Sequence, residues 1–404
     1  MKAEKLIEEL KSVFDLVVER FESFYKSAQS ASSGDYSQSA SSGNSSQSAS
    51  SGFRSQSASS GDHSKSATSG DYSQSASSGD YSQSASSGDL SKSASSGDYS
   101  KSASSGNFNQ SASSGNSSQS ASSGFRSKSA SSGDHSQSAS SGNYSQSTAS
   151  GSYSKSASSG DSSKSATSGD YSQSASSGDL SKSASSGDLS KSASSGDYSK
   201  TASSGNYSKS ASSGNYSAAS ALGYRAAAKG DLGNLIMVSE YNKNNHPIGA
   251  QWGIIDGKIL KPNCWYIVEN NKFVEVDFSD GIFSYVLSTK GNIKKVKKDN
   301  NDILFIVSDN DGNYSHGKTI KEAKEDLIYK RTAKFDGELP DKAIAEDWIP
   351  IYRAITGACS YGIKMFIKDN KINLDQEYTK EEVLEAVKNK YGEDKFKKLI
   401  TNQK

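Results

Sequence analysis

Hydrophobic positions are distributed unevenly along this chain of 404 residues, and three segments with different patterns follow one another. Large apolar residues are concentrated towards the two ends, whereas serine, alanine and glycine fill the middle. The segments are residues 1–28, residues 29–230 and residues 231–404. Each pattern predicts a different kind of structure, so the fold cannot be inferred from the average composition.

The N-terminal segment has the apolar spacing of an amphipathic helix. Apolar residues recur at alternating intervals of four and three, and no glycine or proline interrupts them between residues 4 and 26. We expect this helix either to join several chains into a homo-oligomer or to cap the end of the next segment. The residues that form its apolar stripe are Ile7, Leu10, Phe14, Val17, Phe21 and Phe24.

In the middle segment glycine recurs every nine residues, from Gly34 to Gly223, and 22 glycines share one register. The repeat is G-[D/N]-x-S-[K/Q]-S-A-S-S, and its positions are numbered one to nine from the glycine. Variation is largely confined to positions two, three and five. A disordered low-complexity chain has no reason to keep such a register, so this segment is predicted to fold as a repeat structure.

Side-chain alternation along a strand predicts which positions face inward. Lysine and arginine occur at positions three and five, as in Arg126 and Lys92, and such charges cannot be buried unpaired at this density. We therefore expect positions three, five and seven to face outward along the strand, and the serines of positions four, six and eight to face inward. Stacked about 4.8 Å apart, these hydroxyls are predicted to form columns in which every hydroxyl has a partner.

Two nonamers are predicted to form one coil of a parallel β-solenoid, because nine residues are too few to close a loop with two faces. A duplication supports an even number of nonamers. The stretch GFRSQSASSGDHSKSATSG at 52–70 returns as GFRSKSASSGDHSQSASSG at 124–142, which is 72 residues later. The fold class is therefore mainly β, with about eleven coils of eighteen residues stacked over about 50 Å.

Position three supplies the candidate binding surface, because it places aromatic residues in two rows on the outside of the solenoid. Tyrosine rows flanked by Asp, Asn and Lys suit protein or sugar binding. The alternative is that the rings only pack across strands and shield the backbone hydrogen bonds. The first row contains Tyr36, Tyr72, Leu90, Phe108, Tyr144, Leu180, Tyr198 and Tyr216, and the second contains Tyr81, Tyr99, Tyr153, Tyr171, Leu189 and Tyr207.

The repeat sequence fits three other functions of repeat proteins less well: calcium binding, ice binding and DNA mimicry. Calcium-binding nonamers need the pattern G-G-x-G-x-D, but this repeat has one glycine. Ice binding needs an outward array of hydroxyls, whereas the predicted strand phase turns the serines inward. DNA mimicry needs an acidic surface, but between Gly34 and Gly223 twelve Asp are balanced by twelve Lys and Arg.

The C-terminal segment is predicted to be an α+β domain with an antiparallel meander followed by helices. Helices are expected near 319–331, 345–368 and 379–402, the second interrupted at Pro350 or Gly357 and the third opening with a Thr379–Glu382 capping box. The predicted strands are 234–241, 249–256, 264–270, 272–278, 283–289 and 302–309.

One motif in this segment has the spacing of a phosphate-binding loop. GNYSHGKT satisfies G-x-x-x-x-G-K-[ST] with Gly312, Gly317, Lys318 and Thr319, and it lies between a predicted strand and a predicted helix. Nucleotide binding is thus one alternative. The closely spaced upstream strands leave no room for crossover helices, and no later acidic strand follows, so a turn with a Thr N-cap is the preferred interpretation.

Charge and scattered reactive residues favour no catalytic chemistry. The formal net charge is +1, which does not indicate nucleic-acid or membrane binding. The four histidines lack a metal-binding spacing, and Cys264 and Cys359 are 95 positions apart, so no metal or other cofactor is predicted. The charged N-terminus lacks the apolar core of a signal peptide, and no run reaches the length of a membrane span, which predicts a cytoplasmic protein.

Two resemblances accompany this pattern. SAASALGYRAAAKG at 217–230 resembles the β-roll head of trimeric autotransporter adhesins. The stretches ALGYRAAAKGDLGNLI, YSHGKT and YRAITGACSYGIKMF resemble uncharacterised phage and prophage proteins over most of residues 34–404, which implies a mobile-element origin and, for such a protein, the host cytoplasm. That resemblance implies no catalytic residues.

The resulting functional prediction is a non-enzymatic elongated scaffold that presents its repeat face or its C-terminal domain to a protein partner. Two alternatives from other classes stay open beside the nucleotide-binding one: an inhibitor of a host defence protein and an adhesive or structural appendage.

Overall fold

The computed structural model describes residues 28–242, 244–309, 311–332, 339–388, 390 and 392–402. The predicted N-terminal helix lies outside these residues. The described chain forms two compact units, one that ends at Phe273 and one that begins at Val274.

The first unit is dominated by a parallel β-solenoid whose strands belong to two sheets. One sheet contains β1 (Gln29–Ser33), β3 (Gln47–Ser51), β5 (Lys65–Ser69), β7 (Gln83–Ser87), β9 (Lys101–Ser105), β11 (Gln119–Ser123), β13 (Gln137–Ser141), β15 (Lys155–Ser159), β17 (Gln173–Ser177), β19 (Lys191–Ser195), β21 (Lys209–Ser212) and β23 (Ala227–Lys229). The other contains β2 (Gln38–Ser42), β4 (Gln56–Ser60), β6 (Gln74–Ser78), β8 (Lys92–Ser96), β10 (Gln110–Ser114), β12 (Lys128–Ser132), β14 (Gln146–Ser150), β16 (Lys164–Ser168), β18 (Lys182–Ser186), β20 (Lys200–Ser204), β22 (Ala218–Leu222) and β24 (Leu235–Tyr241).

The solenoid strands pair with strands eighteen residues away, except that β22 and β24 are seventeen residues apart, so one coil contains two nonamers as predicted. Within β7 and β9, for example, Ala85 lies opposite Ala103 and Ser84 opposite Ser102. The ladder has about twelve turns rather than eleven, because β24 continues it beyond residue 230 by pairing in parallel with β22.

The turn between strands uses positions one to four and contains two residues with positive φ. Glycine at position one has a φ near that of Gly97, 112°, and position three has a φ near that of Tyr99, 58°. Position three therefore lies in the turn, which corrects the prediction that it belongs to the strand. The structure explains why Asp and Asn are preferred at position two, because their side-chain oxygen accepts a hydrogen bond from the backbone of the next coil. For example, the Asn107 N–H donates to Asp89 Oδ1 over 2.7 Å.

The inward faces are polar, as the alternation predicts. Serines of positions four, six and eight, such as Ser91, Ser93 and Ser95, are 0%, 3% and 5% exposed. Positions five, seven and nine face outward, so the serines of position nine form an exposed row. The prediction from sequence places serines inward at positions four, six and eight and does not anticipate this outward row.

Hydroxyl pairing differs from the predicted columns. The position-six hydroxyls bond across the core between the two sheets, as in Ser129 to Ser120 and Ser138 to Ser129 at 2.9 Å each. Position-four hydroxyls instead donate to turn and strand carbonyls, such as Ser64 Oγ to Ser78 O at 3.0 Å. Most position-eight hydroxyls, including Ser95, make no hydrogen bond. The expectation that every inward hydroxyl has a partner was wrong, because most position-eight hydroxyls have neither a hydroxyl nor a carbonyl at bonding distance, Ser50 being one of the few exceptions.

An apolar cluster closes the C-terminal end of the solenoid. Serine gives way to larger residues, and the buried side chains include Ala219, Ile236, Val238, Ile255 and Tyr266. Two antiparallel strands cover the last coil: β25 (Pro247–Ile254) pairs with β24, and β26 (Trp265–Glu269) pairs with β23. These strands therefore cap the parallel ladder at this end.

In its described residues, the second unit combines an antiparallel meander with five α-helices. The strands are β27 (Lys272–Asp277), which begins just before the unit boundary, β28 (Ser284–Lys290), β29 (Ile293–Lys297), β30 (Ile303–Ser308) and β31 (Tyr314–Gly317), with a 3-10 turn at Ser279–Gly281. The helices are α1 (Ile320–Thr332), α2 (Ala345–Thr356), α3 (Ser360–Asp369), α4 (Lys380–Ala386) and α5 (Glu393–Asn402), and a small ribbon pairs β32 (Lys342–Ile344) with β33 (Glu377–Thr379).

Local signals mark some of the helix ends in this unit, but the single helix predicted at 379–402 is divided into α4 and α5. Gly357 ends α2 with a φ of 74°, whereas Pro350 lies inside that helix. The predicted Thr379–Glu382 capping box opens α4. The core contains Trp348 and Tyr352 packed on the fully buried ring of Phe396, with ring centroids 6.1 and 5.3 Å away.

Candidate partner-binding surface

The candidate surface consists of two turn columns, which are the position-three residues on the two edges of the solenoid. The first column is Tyr36, Arg54, Tyr72, Leu90, Phe108, Arg126, Tyr144, Ser162, Leu180, Tyr198 and Tyr216. The second column is Ser45, His63, Tyr81, Tyr99, Ser117, His135, Tyr153, Tyr171, Leu189, Tyr207 and Arg225. The predicted partner-binding aromatics all belong to these columns, and the prediction that they form two rows is consistent with this arrangement.

Most rings of the turn columns are exposed. Tyr81 is 50% exposed, Tyr99 is 51% and Tyr144 is 51%, while Tyr153 is half-buried. Because the side chains leave the turn rather than the sheet, they lie along the edges of the solenoid. A partner that approaches an edge meets these rings before it meets the backbone.

Stacks of rings recur in the second column. His63 stacks on Tyr81 and Tyr81 on Tyr99, with ring centroids 5.0 Å apart in both pairs. Four coils further on, His135 stacks on Tyr153 at 5.0 Å and Tyr153 on Tyr171 at 4.8 Å. The 72-residue sequence duplication thus reproduces the same His-Tyr-Tyr stack.

The first column carries a second duplicated feature, an arginine surrounded by three rings. The Arg54 guanidinium carbon lies 5.8, 5.2 and 5.6 Å from the ring centroids of Tyr36, Phe53 and Tyr72. We call this the first arginine cluster. The second arginine cluster, formed by Arg126 with Phe108, Phe125 and Tyr144, has the same three distances.

Each arginine cluster depends on a phenylalanine at position two. Phe53 and Phe125 replace the usual Asp or Asn there, and both residues went unrecognised as candidate site residues. The signal was present in the sequence, because the duplicated stretch contains the dipeptide Phe-Arg directly after glycine in both copies. What the sequence could not show is that position two of one coil packs between position-three rings of its neighbours.

The backbone at position three makes these side chains noteworthy. A left-handed φ favours Gly, Asn and Asp, and it is unfavourable for a bulky residue. Nevertheless, none of the 22 position-three residues is Gly, Asn or Asp, although Asp and Asn are common at the adjacent position two. The choice of Tyr, Arg, His and Leu therefore serves the side chain and not the turn conformation.

The GNYSHGKT segment adopts a different geometry from a phosphate-binding loop. Its residues 314–317 form β31, which is antiparallel to β30. The Lys318 N–H donates to Glu322 Oε2 over 2.8 Å, and Thr319 Oγ1 accepts from Glu322 N–H over 3.1 Å. A backbone donor that would face a phosphate is therefore engaged in the N-cap of α1, and Gly312 belongs to the hairpin turn.

The second unit has its own concave region, between α2, α3 and α4. The lining is mainly apolar and includes Trp348, Ile363, Phe366 and the buried Cys359. The Cys359 thiol accepts from the Gly362 N–H over 3.3 Å and so caps α3. Cys264, in the first unit, is half-buried.

Charged groups inside the second unit are paired with one another. Asp326, 8% exposed, accepts from Arg353 Nη2 over 2.9 Å and from Ser360 N–H over 2.7 Å. Burial raises the pKa of Asp277, but the Lys294 ammonium at 2.7 Å and the Ser279 donors outweigh that effect, so its pKa lies below the usual value. The Asp277–Lys294 pair joins two strands of the meander, and Asp326 joins α1 to α2 and α3.

In the part of the chain that the structure describes, no group of three or more His, Cys, Asp or Glu side chains is placed to hold a metal ion. No helix in the same residues is long and apolar enough to span a membrane.

Comparison of the chain with family models, with curated proteins and with solved structures finds no match in any of the three.

Proposed function

We propose that this protein is a scaffold whose solenoid presents the two turn columns to a protein partner. The observation that carries the proposal is the contrast between uniform inward positions and large, varied side chains at a strained turn position. Tyrosine, arginine and histidine combine apolar area with polar tips, and they are enriched where proteins bind one another.

Duplication supports the same proposal. The His-Tyr-Tyr stack and the arginine cluster both return after 72 residues. Four coils separate the copies, which corresponds to about 19 Å at the usual spacing of strands. Two equivalent patches at a fixed separation can engage one partner twice and raise its apparent affinity without any new type of contact.

The resemblance to phage and prophage proteins supports a mobile-element origin, and a protein of the infected host is the partner we propose. No catalytic step is part of this function. The solenoid supplies rigidity and spacing, and the turn columns supply recognition.

The proposal can be tested with the full-length protein and variants at position three. A photo-crosslinking residue in place of Tyr99 identifies the partner, and its affinity is then measured for Tyr81→Ser/Tyr99→Ser and for Tyr153→Ser/Tyr171→Ser. Serine is a suitable replacement because Ser45, Ser117 and Ser162 occupy the same turn position. We expect each double variant to weaken binding at least tenfold, an energy within the range of interface hot spots.

A control variant changes the outward strand face instead. Gln83→Lys exchanges two residues that both occur at position five and leaves the turn columns intact. Its affinity should match that of the parent. Partner binding that survives both double variants would show that the rings only stabilise the solenoid, and the proposed function would be wrong.

A further inference from the structure

The two arginine clusters have the same shape but different electrostatic surroundings. In both, rings cover the faces of the guanidinium, so further hydrogen bonding can occur only through its N–H groups in the plane. Both arginines are exposed. The differences lie in the residues around them.

The first difference is the number of free donors. Arg54 Nη1 donates to the Tyr36 hydroxyl over 3.5 Å. The ring in the corresponding place of the second cluster is Phe108, which has no hydroxyl. The Arg126 side chain has no hydrogen-bond or ion-pair partner among the described residues, so all of its N–H donors stay open.

The second difference is charge. The coils on either side of Phe53 carry Asp35 and Asp71 at position two, and the Phe53 N–H donates to Asp35 Oδ1 over 3.2 Å. On either side of Phe125 the same position is Asn107 or Asn143, and the Phe125 N–H donates to Asn107 Oδ1 over 3.0 Å. The backbone geometry is thus maintained while two negative charges are removed.

Position five adds to this contrast. Lys128 follows the second cluster, whereas Gln56 follows the first. Neighbouring coils are about 4.8 Å apart, well within the distance over which charges act on one another at physiological salt. The second cluster is therefore positive, whereas the first is balanced by its own carboxylates.

We propose that the second arginine cluster binds a carboxylate of an acidic segment in the protein partner, an inference that rests on the proposed function. The planar Arg126 fork donates two parallel N–H bonds to the carboxylate, and Lys128 adds attraction. Phe108, Phe125 and Tyr144 limit the approach of water to the guanidinium faces and contact apolar groups beside the acid. The first arginine cluster is a built-in comparison, with the same rings and little affinity for acids.

Arginine NMR tests this directly because the chain contains six arginines. Full-length protein labelled with ¹⁵N-arginine gives resolvable Nε–H signals, which single Arg→Lys variants assign. The probe is an end-blocked hexaglutamate peptide, with hexaglutamine as the neutral control and inorganic phosphate as the competing anion. We expect a saturable shift of the Arg126 signal in the millimolar range, consistent with an exposed ion pair, and an affinity at Arg54 at least tenfold weaker.

Exchange of the surroundings provides the matched variants. Asn107→Asp/Asn143→Asp should reduce the Arg126 affinity to that of the parent Arg54. Asp35→Asn/Asp71→Asn/Tyr36→Phe should raise the Arg54 affinity at least fivefold. Asp and Asn both occur at position two throughout the repeat, so hydrogen exchange should show an unchanged solenoid in both variants.

Three results would overturn the inference: no hexaglutamate shift at Arg126, equal affinities at the two arginines, or a stronger response to phosphate than to hexaglutamate. None of these results would contradict the proposed function, because that function is tested by the affinity of the tyrosine variants for the partner. Conversely, hexaglutamate could bind at Arg126 while the tyrosine variants bind the partner as tightly as the parent. That result would refute the proposed function alone.

Discussion

The solenoid and the second unit bury different kinds of side chain. In the solenoid the inward side chains of positions four, six and eight are almost all serine hydroxyls, such as Ser129 and Ser131. In the second unit the core is apolar and irregular, with Trp348, Tyr352 and Phe396 at its centre. The first arrangement depends on repeated hydrogen bonds between equal neighbours, and the second depends on one set of shapes that fit together.

The comparison explains why each sequence looks as it does. A serine core is thin, so each coil needs a close neighbour above and below, and every glycine and every position-six hydroxyl must keep its register. An apolar core releases more free energy per residue on burial and does not require repetition. We therefore expect damage to be local in the solenoid and cooperative in the second unit.

The largest effect is expected from Phe396→Ala in the second unit. Phe396 is 0% exposed and contacts two aromatic rings, so its removal leaves a cavity and costs about 3–5 kcal/mol. Hydrogen exchange should show loss of protection in α2, α3 and α5. Leu399→Ala, a partly buried neighbour, is the control and should cost less. A loss below about 1 kcal/mol would contradict a single cooperative core.

A smaller but sharper effect is expected from Gly160→Ala in the solenoid. A Cβ at Gly160 would lie 2.6 Å from the Gly142 carbonyl carbon, and the φ of Gly160 is 101°. Overpacking and the left-handed backbone together should cost about 2–4 kcal/mol. Gly34→Ala has the same type of φ but no described atom within 4 Å, so it separates the two contributions. Equal losses in urea unfolding would show that close packing of coils is unimportant.

Ser129→Ala interrupts the chain of position-six hydroxyls. Ser129 donates to Ser120 and accepts from Ser138, both at 2.9 Å, and it is 3% exposed. The variant leaves the buried hydroxyls of Ser120 and Ser138 each without one partner, so we expect a loss of about 1–3 kcal/mol. Hydrogen exchange should localise the loss to the coils around β12. Uniform loss over the whole solenoid would contradict local damage.

Much of the fold could be predicted from sequence because the solenoid is periodic. The glycine register, the inward serines and the eighteen-residue coil follow from repetition and from the rule that lysine is not buried unpaired. The predictions that failed concern details within the coil. Side-chain alternation predicts that position three belongs to the strand, and residues such as Tyr99 give no sign of the left-handed φ that places it in the turn. The position-six bonds between the sheets depend on a core width that no repeat pattern encodes.

The candidate site was predicted in part. Rings such as Tyr81 and Tyr99 are predicted because position three places aromatic residues in rows on the outside of the solenoid. The arginine clusters were missed, since Phe53 and Arg54 are adjacent in sequence but meet Tyr36 and Tyr72 only through stacking of coils. Contacts between residues eighteen apart become visible only when the coil length is known.

The pH dependence of the second unit should show a modest effect from Asp277. Its pKa is lowered by Lys294 and Ser279, so the stabilisation is present above the ordinary carboxyl value of 3.8 and is lost as the pH falls through the lower folded value. Urea unfolding at pH 6 and at pH 3 should show this loss for the parent and a smaller one for Asp277→Asn. An identical decrease in both proteins would mean that the ion pair makes no net contribution.

The smallest effect is expected from Ser131→Ala, two residues from Ser129 on the same strand. Its hydroxyl is equally buried, at 5% exposure, but it makes no hydrogen bond, so its removal relieves a desolvated polar group. The natural chain already has Ala149 at position eight, whereas from Ser30 to Ser210 position six is always Ser or Thr. We therefore expect a change in unfolding free energy within about 0.5 kcal/mol, or slight stabilisation. If Ser131→Ala and Ser129→Ala destabilise the solenoid equally, the position-six hydrogen bonds do not stabilise its core. The loss of unfolding free energy must then come from the lost packing volume alone.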